Sequence, residues 1–141
     1  MKVLVLHGAN MNLIGTREPE IYGQITLAEL DKRLVEYGRQ IGVEVVCSQS
    51  NHEGALIEAL HEARQNMDAV IFNPGGFTHT SVALRDAISA IEIPVVEVHM
   101  SNVYAREDFR HQSFISAVCA GKVVGFGWRS YLYALMAVID E

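Results

Sequence analysis

Cysteine is scarce in this sequence, and no apolar stretch is long enough to cross a membrane. The two cysteines, Cys47 and Cys119, stand far apart in apolar surroundings, which predicts two buried free thiols instead of a disulfide. The apolar run near the N-terminus, residues 3–6, is too short for the core of a signal peptide. These features predict a cytosolic protein.

Positive charge is also in short supply. The 11 lysine and arginine residues are outnumbered by 17 acidic residues, which gives a formal net charge of −6. Because no run of basic residues occurs, a phosphate backbone or an anionic membrane would repel the chain, so neither is predicted as a partner. His-Glu-x-x-His motifs and paired cysteines are missing as well, so no metal site is predicted.

Short apolar runs alternate with helical patterns along the chain. The runs are rich in β-branched residues, and this continuity predicts strands covered on both faces, as in a parallel sheet. They span residues 3–6, 43–47, 69–72, 94–98 and 123–126. Capping boxes at Thr26-x-x-Glu29 and Ser50-x-x-Glu53 predict the starts of two helices, and further helices are predicted over residues 81–91 and 131–139.

Alternating strands and helices predict right-handed crossovers and an α/β fold of three layers. Five strands in a chain of 141 residues fit a flavodoxin-like sandwich, with a parallel sheet in the order 2-1-3-4-5. No repeat or linker interrupts the pattern, so residues 1–141 are predicted to form a single domain. Ligands of such sheets bind beyond the carboxyl ends of the strands, near the switch point between strands one and three.

Polar or glycine-rich segments follow three of the predicted strands, at residues 7–10, 73–76 and 97–102, and we expect them to converge. In the second segment, Gly75 and Gly76 would let the backbone approach an anion at a helix start. Asn73 could donate to a carboxylate, and His79, just after the segment, could contact a hydroxyl. The alternative is an ordinary turn with a capping hydroxyl. Neither a Walker A motif nor Gly-x-Gly-x-x-Gly is present.

Glu97-x-His99 is the sharpest local feature, because residues two apart on a strand point to one face. The carboxylate would fix the imidazole tautomer and favour a protonated histidine that serves as a general acid. The alternative is a structural histidine. His52, His61 and His111 lack such neighbours and are predicted to lie on the surface.

The connection over residues 10–24 is longer than typical strand-to-helix loops, which is characteristic of lids. It holds Arg17 and Tyr22, and a nearby guanidinium would favour the phenolate that a tyrosine base requires. A surface arginine and a loop-packing tyrosine are the alternative. Arg106 and Arg110 are either a clamp for a hydroxylated acid or part of a solvated helical turn with weak local ion pairs.

Together these segments resemble the type II 3-dehydroquinate dehydratases from end to end. No single segment is decisive, but their order and spacing are specific. The resemblance rests on Gly8-x-Asn10-x-Asn12-Leu13, Gly15-Thr16-Arg17-Glu18-Pro19-x-x-Tyr22-Gly23, Gln49-Ser50-Asn51, Asn73-x-Gly75-Gly76-x-Thr78-His79-Thr80-Ser81, Asp86-Ala87, Glu97-Val98-His99-x-Ser101-Asn102, Arg106-Glu107-x-Phe109-Arg110 and Gly125-x-Gly127-x-x-x-Tyr131.

The resemblance implies a dehydration of 3-dehydroquinate to 3-dehydroshikimate, by anti elimination through an enolate. It implies that Tyr22 is the base, that Arg17 is the cation beside it and that His99 is the acid. Glu97 would orient His99, and Asn10 would hold a water against the enolate oxygen. No Schiff base, metal or organic cofactor is implied.

The same resemblance places the substrate carboxylate on Asn73 and on the backbone at Met100 and Ser101. His79 and Arg110 would contact ring hydroxyls, and Asp86 would reach the site from a neighbouring subunit, within trimers that assemble into a dodecamer. One segment departs from the family pattern Asn-Gly-Pro-Asn, since the first strand here ends in His7-Gly8-Ala9-Asn10 and so adds a titratable group near the site.

Two other classes of function compete with this reading. A flavodoxin-like flavin or phosphate binder has only the glycine-rich third loop in its favour. A receiver-type signalling domain would need an acidic pair after strand one and an aspartate after strand three, where Gly8-Ala9 and Asn73 stand instead. The choice between aromatic biosynthesis and quinate breakdown stays open, because both use the same reaction.

Overall fold

A computed structural model of the chain describes residues 1–139, apart from the side chain of Tyr22. Within this part of the chain, a five-stranded sheet has the order β2-β1-β3-β4-β5, and every neighbouring pair is parallel. This confirms the predicted topology. The strands are β1 (Lys2–His7), β2 (Glu44–Gln49), β3 (Ala69–Asn73), β4 (Val95–His99) and β5 (Gly121–Val124).

Helices cover both faces of the sheet. They are α1 (Pro19–Tyr22), α2 (Leu27–Gln40), α3 (Glu53–Asn66), α4 (Val82–Ile91) and α5 (Arg129–Ile139). Short 3-10 turns occupy Met11–Leu13, Gly75–His79, Val103–Ala105, Asp108–His111 and Ser116–Val118. The turn at Gly75–His79 lies between β3 and α4, and α4 begins where the sequence predicted, with the Ser81 hydroxyl accepting from the Leu84 backbone N–H at 2.9 Å. No helix among the described residues has the length and apolar content that a membrane span requires.

The observed helix starts confirm the predicted capping box at Thr26 and show that the one predicted at Ser50 is wrong. The Thr26 hydroxyl accepts a hydrogen bond from the Glu29 backbone N–H at 3.2 Å, as predicted. At α3 the capping position is held by His52, and the Ser50 hydroxyl instead accepts from the His52 N–H at 3.0 Å. Ser50 therefore closes a local turn two residues too early to cap the helix. The last strand also ends earlier than predicted, before Gly125, whose φ of +95° is outside the strand region.

Two apolar clusters sandwich the sheet. Alternate residues of β1 divide between them, because successive side chains of a strand point to opposite faces. Val3 and Val5 join the cluster under α2 and α5, whereas Leu4 and Leu6 join the cluster under α3 and α4. This arrangement confirms the three layers and leaves the carboxyl edge of the sheet for polar groups.

Candidate active site

A cavity of about 120 Å³ opens at the carboxyl edge of the sheet, where the ends of β1, β3 and β4 meet. The predicted convergence of the three polar segments is therefore confirmed. Most of the predicted site residues line this cavity: Asn10, Arg17, Asn73, His79, His99, Met100, Ser101 and Arg110.

Two glycines let the loops after β1 and β3 pack against each other. A Cβ at Gly8 would lie 2.3 Å from the Pro74 carbonyl oxygen, and one at Gly75 would lie 2.6 Å from the Ala9 oxygen. Gly75 also has a φ of +66°, which larger residues rarely adopt. This contact holds the β1 and β3 loops together, so that both present residues to one cavity.

His99 and Glu97 form a buried pair at the end of β4, as the sequence predicted. The Nε2 atom of His99 donates to Oε2 of Glu97 at 2.6 Å. Since Nε2 is engaged, Nδ1 is the ring nitrogen left for a ligand in the cavity. The structure thus fixes both the tautomer and the ring orientation of the histidine.

Three groups that the sequence did not reveal surround the Glu97 carboxylate. The hydroxyls of Ser113 and Ser116 donate to Oε1 at 3.1 and 2.5 Å, and Lys122 Nζ lies 3.7 Å from Oε2. Burial alone would raise the pKa of Glu97, but the hydrogen bonds and charges of His99, Ser116 and Lys122 lower it below its ordinary value. Glu97 is therefore an anion beside His99 at neutral pH.

His79 faces the cavity as a neutral ring. Its Nδ1 donates to the Gln112 carbonyl oxygen at 2.7 Å, which leaves Nε2 as an acceptor. Partial burial lowers the pKa of His79 below the ordinary 6.5, and this outweighs the opposing effect of the Gln112 hydrogen bond. At neutral pH, His79 is suited to accept a hydrogen bond from a ligand hydroxyl.

Cationic side chains line one side of the cavity. Arg110 donates through Nε to the Glu107 carboxylate at 3.2 Å, and Nη1 of Arg106 donates to the Ser101 hydroxyl at 3.2 Å. The sequence allowed a clamp role for either Arg106 or Arg110, and the family resemblance implied a role only for Arg110, although both line the cavity. The spacing of four residues between the two arginines was the available signal.

The predicted lid, residues 10–24, is described in the structure apart from one side chain. Arg17 lines the cavity, and its Nη2 lies 3.1 Å from the Glu18 carboxylate. The backbone of residues 19–22 forms the short helix α1. The side chain of Tyr22, the predicted base, lies outside the described part of the chain.

Asp86 and His7 stand away from the cavity in this single chain. Asp86 is exposed on α4 and is not among the cavity-lining residues. His7, expected near the site, is the register partner of the cavity-lining Asn73 on the neighbouring strand, but it is itself fully buried and does not line the cavity. The predicted surface positions of His52, His61 and His111 are confirmed, because all three are exposed.

The described residues bring one group of potential metal ligands together, namely His7, Asp31 and Cys47, whose donor atoms lie within 4.8 Å of one another. The group lies outside the cavity. Burial, and then the nearby Asp31 carboxylate, raise the pKa of the Cys47 thiol, so it is protonated at neutral pH. Cys47 and Cys119 are both free, as predicted, but are partly rather than fully buried.

Comparison with known proteins assigns this chain to a family. The family model described as "Dehydroquinase class II" matches residues 1–139. The chain belongs to the class II dehydroquinases. A curated 3-dehydroquinate dehydratase from Pelotomaculum thermopropionicum is 56% identical, over 97% of this chain and 95% of the relative. One from Desulforudis audaxviator is also 56% identical, over 99% of this chain and 93% of the relative.

Solved structures of similar proteins agree with this assignment. The crystal structure of a type II dehydroquinase from Butyrivibrio crossotus superposes with a TM-score of 0.97 at 44% identity, covering 99% of this chain and 97% of the other. A 3-dehydroquinate dehydratase-like protein from Bifidobacterium longum reaches a TM-score of 0.74 at 29% identity, covering 100% and 99%. The family assignment therefore agrees with the predicted flavodoxin-like fold.

Proposed function

We propose that this chain is a type II 3-dehydroquinate dehydratase, a hydro-lyase that converts 3-dehydroquinate to 3-dehydroshikimate in the shikimate pathway. The observation that carries the proposal is the buried His99–Glu97 pair, with an Nε2–Oε2 distance of 2.6 Å, at a cavity that Arg17 also lines. A positioned acid suits the departure of a hydroxyl, and a cation favours the phenolate base that removes the proton from the same substrate.

The first step is removal of a proton from the carbon next to the substrate ketone. Tyr22 is the proposed base, and Arg17 favours its phenolate electrostatically. The electron pair of the broken C–H bond forms an enolate. Asn10, which lines the cavity, holds a water that donates to the enolate oxygen.

The second step expels the hydroxyl on the opposite face of the ring. His99 donates its Nδ1 proton to the departing oxygen, the C–O bond breaks, and the enolate collapses to the conjugated double bond as water leaves. Glu97 stabilises the imidazolium before the transfer, because its carboxylate accepts from Nε2 throughout. No metal or organic cofactor takes part in this sequence.

The other cavity residues bind the substrate. Asn73 donates from Nδ2 toward the Met11 sulfur at 3.4 Å, a weak acceptor that a substrate carboxylate would replace. Backbone groups of Met100 and Ser101 complete the carboxylate site. Neutral His79 accepts from one ring hydroxyl, and Arg110 binds another.

Assembly and location complete the proposal. The chain forms trimers that assemble into a dodecamer, and Asp86 on α4 reaches the cavity of a neighbouring subunit. The enzyme is cytoplasmic, and it acts in aromatic biosynthesis or in quinate catabolism, where the reaction is the same. The genomic neighbourhood of its gene distinguishes these two roles.

The direct test is an ultraviolet assay for the conjugated product, with purified protein and 3-dehydroquinate. We expect absorbance to rise with time in proportion to enzyme concentration, and to do so equally after dialysis against a chelator. A folded protein that forms no conjugated product would overturn the proposal. Loss of activity after chelation would instead overturn the metal-free mechanism.

A further inference from the structure

A chain of buried hydrogen bonds leads from α2 to the cavity. Asp31 Oδ1 lies 2.7 Å from Nε2 of His7, whose Nδ1 lies 3.0 Å from the Tyr131 hydroxyl. That hydroxyl lies 3.0 Å from Nδ2 of Asn73, which lines the cavity. Four side chains from four different elements are thus joined end to end.

One set of bond directions satisfies every donor and acceptor in this chain. The Asn73 Oδ1 atom accepts from the Gly75 backbone N–H at 3.1 Å, so its amide nitrogen must face Tyr131. An amide nitrogen only donates, and the Tyr131 oxygen therefore accepts from Asn73 and gives its own proton to Nδ1 of His7. His7 must then carry its proton on Nε2 and donate it to Asp31.

Burial makes this pattern costly to break. His7 and Tyr131 are both 0% exposed and Asn73 is 4% exposed, so water does not replace a missing partner easily. Burial also raises the pKa of Tyr131 well above its ordinary value, which outweighs the opposing hydrogen bond from Asn73. The hydroxyl therefore stays protonated and can serve as the donor to His7.

We propose that Tyr131 is a positioning residue for substrate binding, which holds the Asn73 amide in its cavity-facing orientation and is itself oriented by His7 and Asp31. The inference rests on the proposed function, in which Asn73 binds the substrate carboxylate. One amide hydrogen is fixed on Tyr131, which aims the second hydrogen at the place that the Met11 sulfur now occupies. Without the Tyr131 hydroxyl, the Asn73 amide nitrogen would lose one of its two hydrogen-bond acceptors.

The test compares Tyr131→Phe with Tyr133→Phe, which removes a hydroxyl from the same helix. Tyr133 is 42% exposed and packs edge-on against Phe126, away from the hydrogen-bond chain. We expect Tyr131→Phe to raise KM for 3-dehydroquinate by about five- to tenfold, with kcat within about twofold of the wild-type value. The control should leave both constants unchanged. An unchanged KM in folded Tyr131→Phe would overturn the proposal.

A double-mutant cycle with Asn73→Ala separates positioning from a general structural effect. If Tyr131 acts through Asn73, adding Tyr131→Phe to Asn73→Ala should change KM by less than about twofold. Multiplication of the two single effects would overturn the proposal, because Tyr131 would then act by another route. Wild-type protein is assayed in parallel, and a wild type without dehydratase activity would refute the proposed function itself.

Asp31 offers a second route if Tyr131→Phe does not fold. The Asp31 side chain is 30% exposed on α2, so its replacement disturbs the core less. Asp31→Ala removes the acceptor that holds the His7 proton on Nε2, and we expect KM to rise in the same direction. Asp31→Asn keeps an acceptor oxygen and should restore KM. Equal KM values for wild type, Asp31→Ala and Asp31→Asn would contradict the proposal that Asp31 acts on Asn73 through the chain of hydrogen bonds.

Discussion

The Nε2 atom of His99 lies 2.6 Å from the Oε2 atom of Glu97, and both side chains are almost fully removed from water. The two residues are adjacent on one face of β4, so the strand itself sets their separation. The carboxylate holds the ring while Nδ1 stays available to the cavity. This one contact defines the acid of the proposed reaction.

Replacing His99 by alanine should lower kcat by about 10²–10⁴-fold, the usual contribution of a positioned general acid. His61→Ala is a matched control, because His61 is exposed on α3 and is not among the residues that line the cavity. The measurement is steady-state product absorbance for both variants, with circular dichroism to verify the fold. A folded His99→Ala protein with near-wild-type kcat would show that another group protonates the leaving hydroxyl.

Glu97 should make stability depend on pH in the acid range. Its pKa is lowered in the folded protein from the ordinary 4.5, so the folded state binds the proton less readily than the unfolded chain. Glu97 therefore adds stability above its unfolded pKa, and this contribution is lost as pH falls through the lower, folded value. Between about pH 5 and pH 3, the free energy of unfolding should fall more steeply for wild type than for Glu97→Gln.

Urea denaturation at several pH values measures this difference. Glu58→Gln serves as a control, because Glu58 is an exposed carboxylate on α3. Its pH dependence of unfolding should stay close to that of wild type. Parallel curves for wild type and Glu97→Gln would contradict the inferred charge of Glu97.

The parts of the structure that the sequence predicted are those set by local pattern. Continuous apolar runs identified the strands, and the period of two in a strand placed Glu97 beside His99. The same alternation places His7 on the face of Val3 and Val5, toward α2 and α5, which is why it is buried away from the cavity.

Long-range contacts could not be predicted in this way. Ser113 and Ser116 reach Glu97 from the connection between β4 and β5, and Lys122 reaches it because β5 pairs with β4 in a register that sets Lys122 opposite Glu97. The bond from Asn73 to Tyr131 spans 58 positions and depends on how α5 crosses the sheet. Such contacts follow from tertiary packing, on which the local period of apolar residues carries no information.

Borohydride should not inactivate the enzyme in the presence of 3-dehydroquinate. The chain has three lysines, Lys2, Lys32 and Lys122, and none of them is among the residues that line the cavity. A substrate imine therefore has no amine in reach within the described part of the site. Activity after treatment and removal of excess reagent is the readout. Irreversible inactivation, with a mass increase on one lysine, would indicate Schiff-base chemistry instead.

Tyr22→Phe should abolish turnover while substrate still binds, since the substitution keeps the ring and removes only the proton acceptor. Product absorbance measures the first effect, and calorimetric titration with 3-dehydroquinate measures the second. Tyr133→Phe, which removes a hydroxyl at the surface, should retain full activity in the same assay. If folded Tyr22→Phe keeps near-wild-type turnover, Tyr22 is not the base.

Asp86→Ala links assembly to catalysis. Asp86 is exposed on α4, beyond the 3-10 turn that carries His79, and it does not line the cavity of its own chain. In the proposed trimer it contacts substrate in the adjacent subunit, so the substitution should weaken binding or turnover. Glu58→Ala, an exposed acidic position on α3, is the control and should leave the kinetics unchanged.

Co-expression of the Asp86→Ala and Tyr22→Phe chains tests the contribution between subunits directly. Each variant alone lacks one group at every site, whereas a mixed trimer contains some sites with an intact Tyr22 and a neighbour's intact Asp86. Activity above that of both parents is therefore expected only if Asp86 acts across the interface. Differently tagged chains, purified through both tags, ensure that mixed oligomers are assayed. If these show no gain over the parents, Asp86 acts within its own chain or not at all.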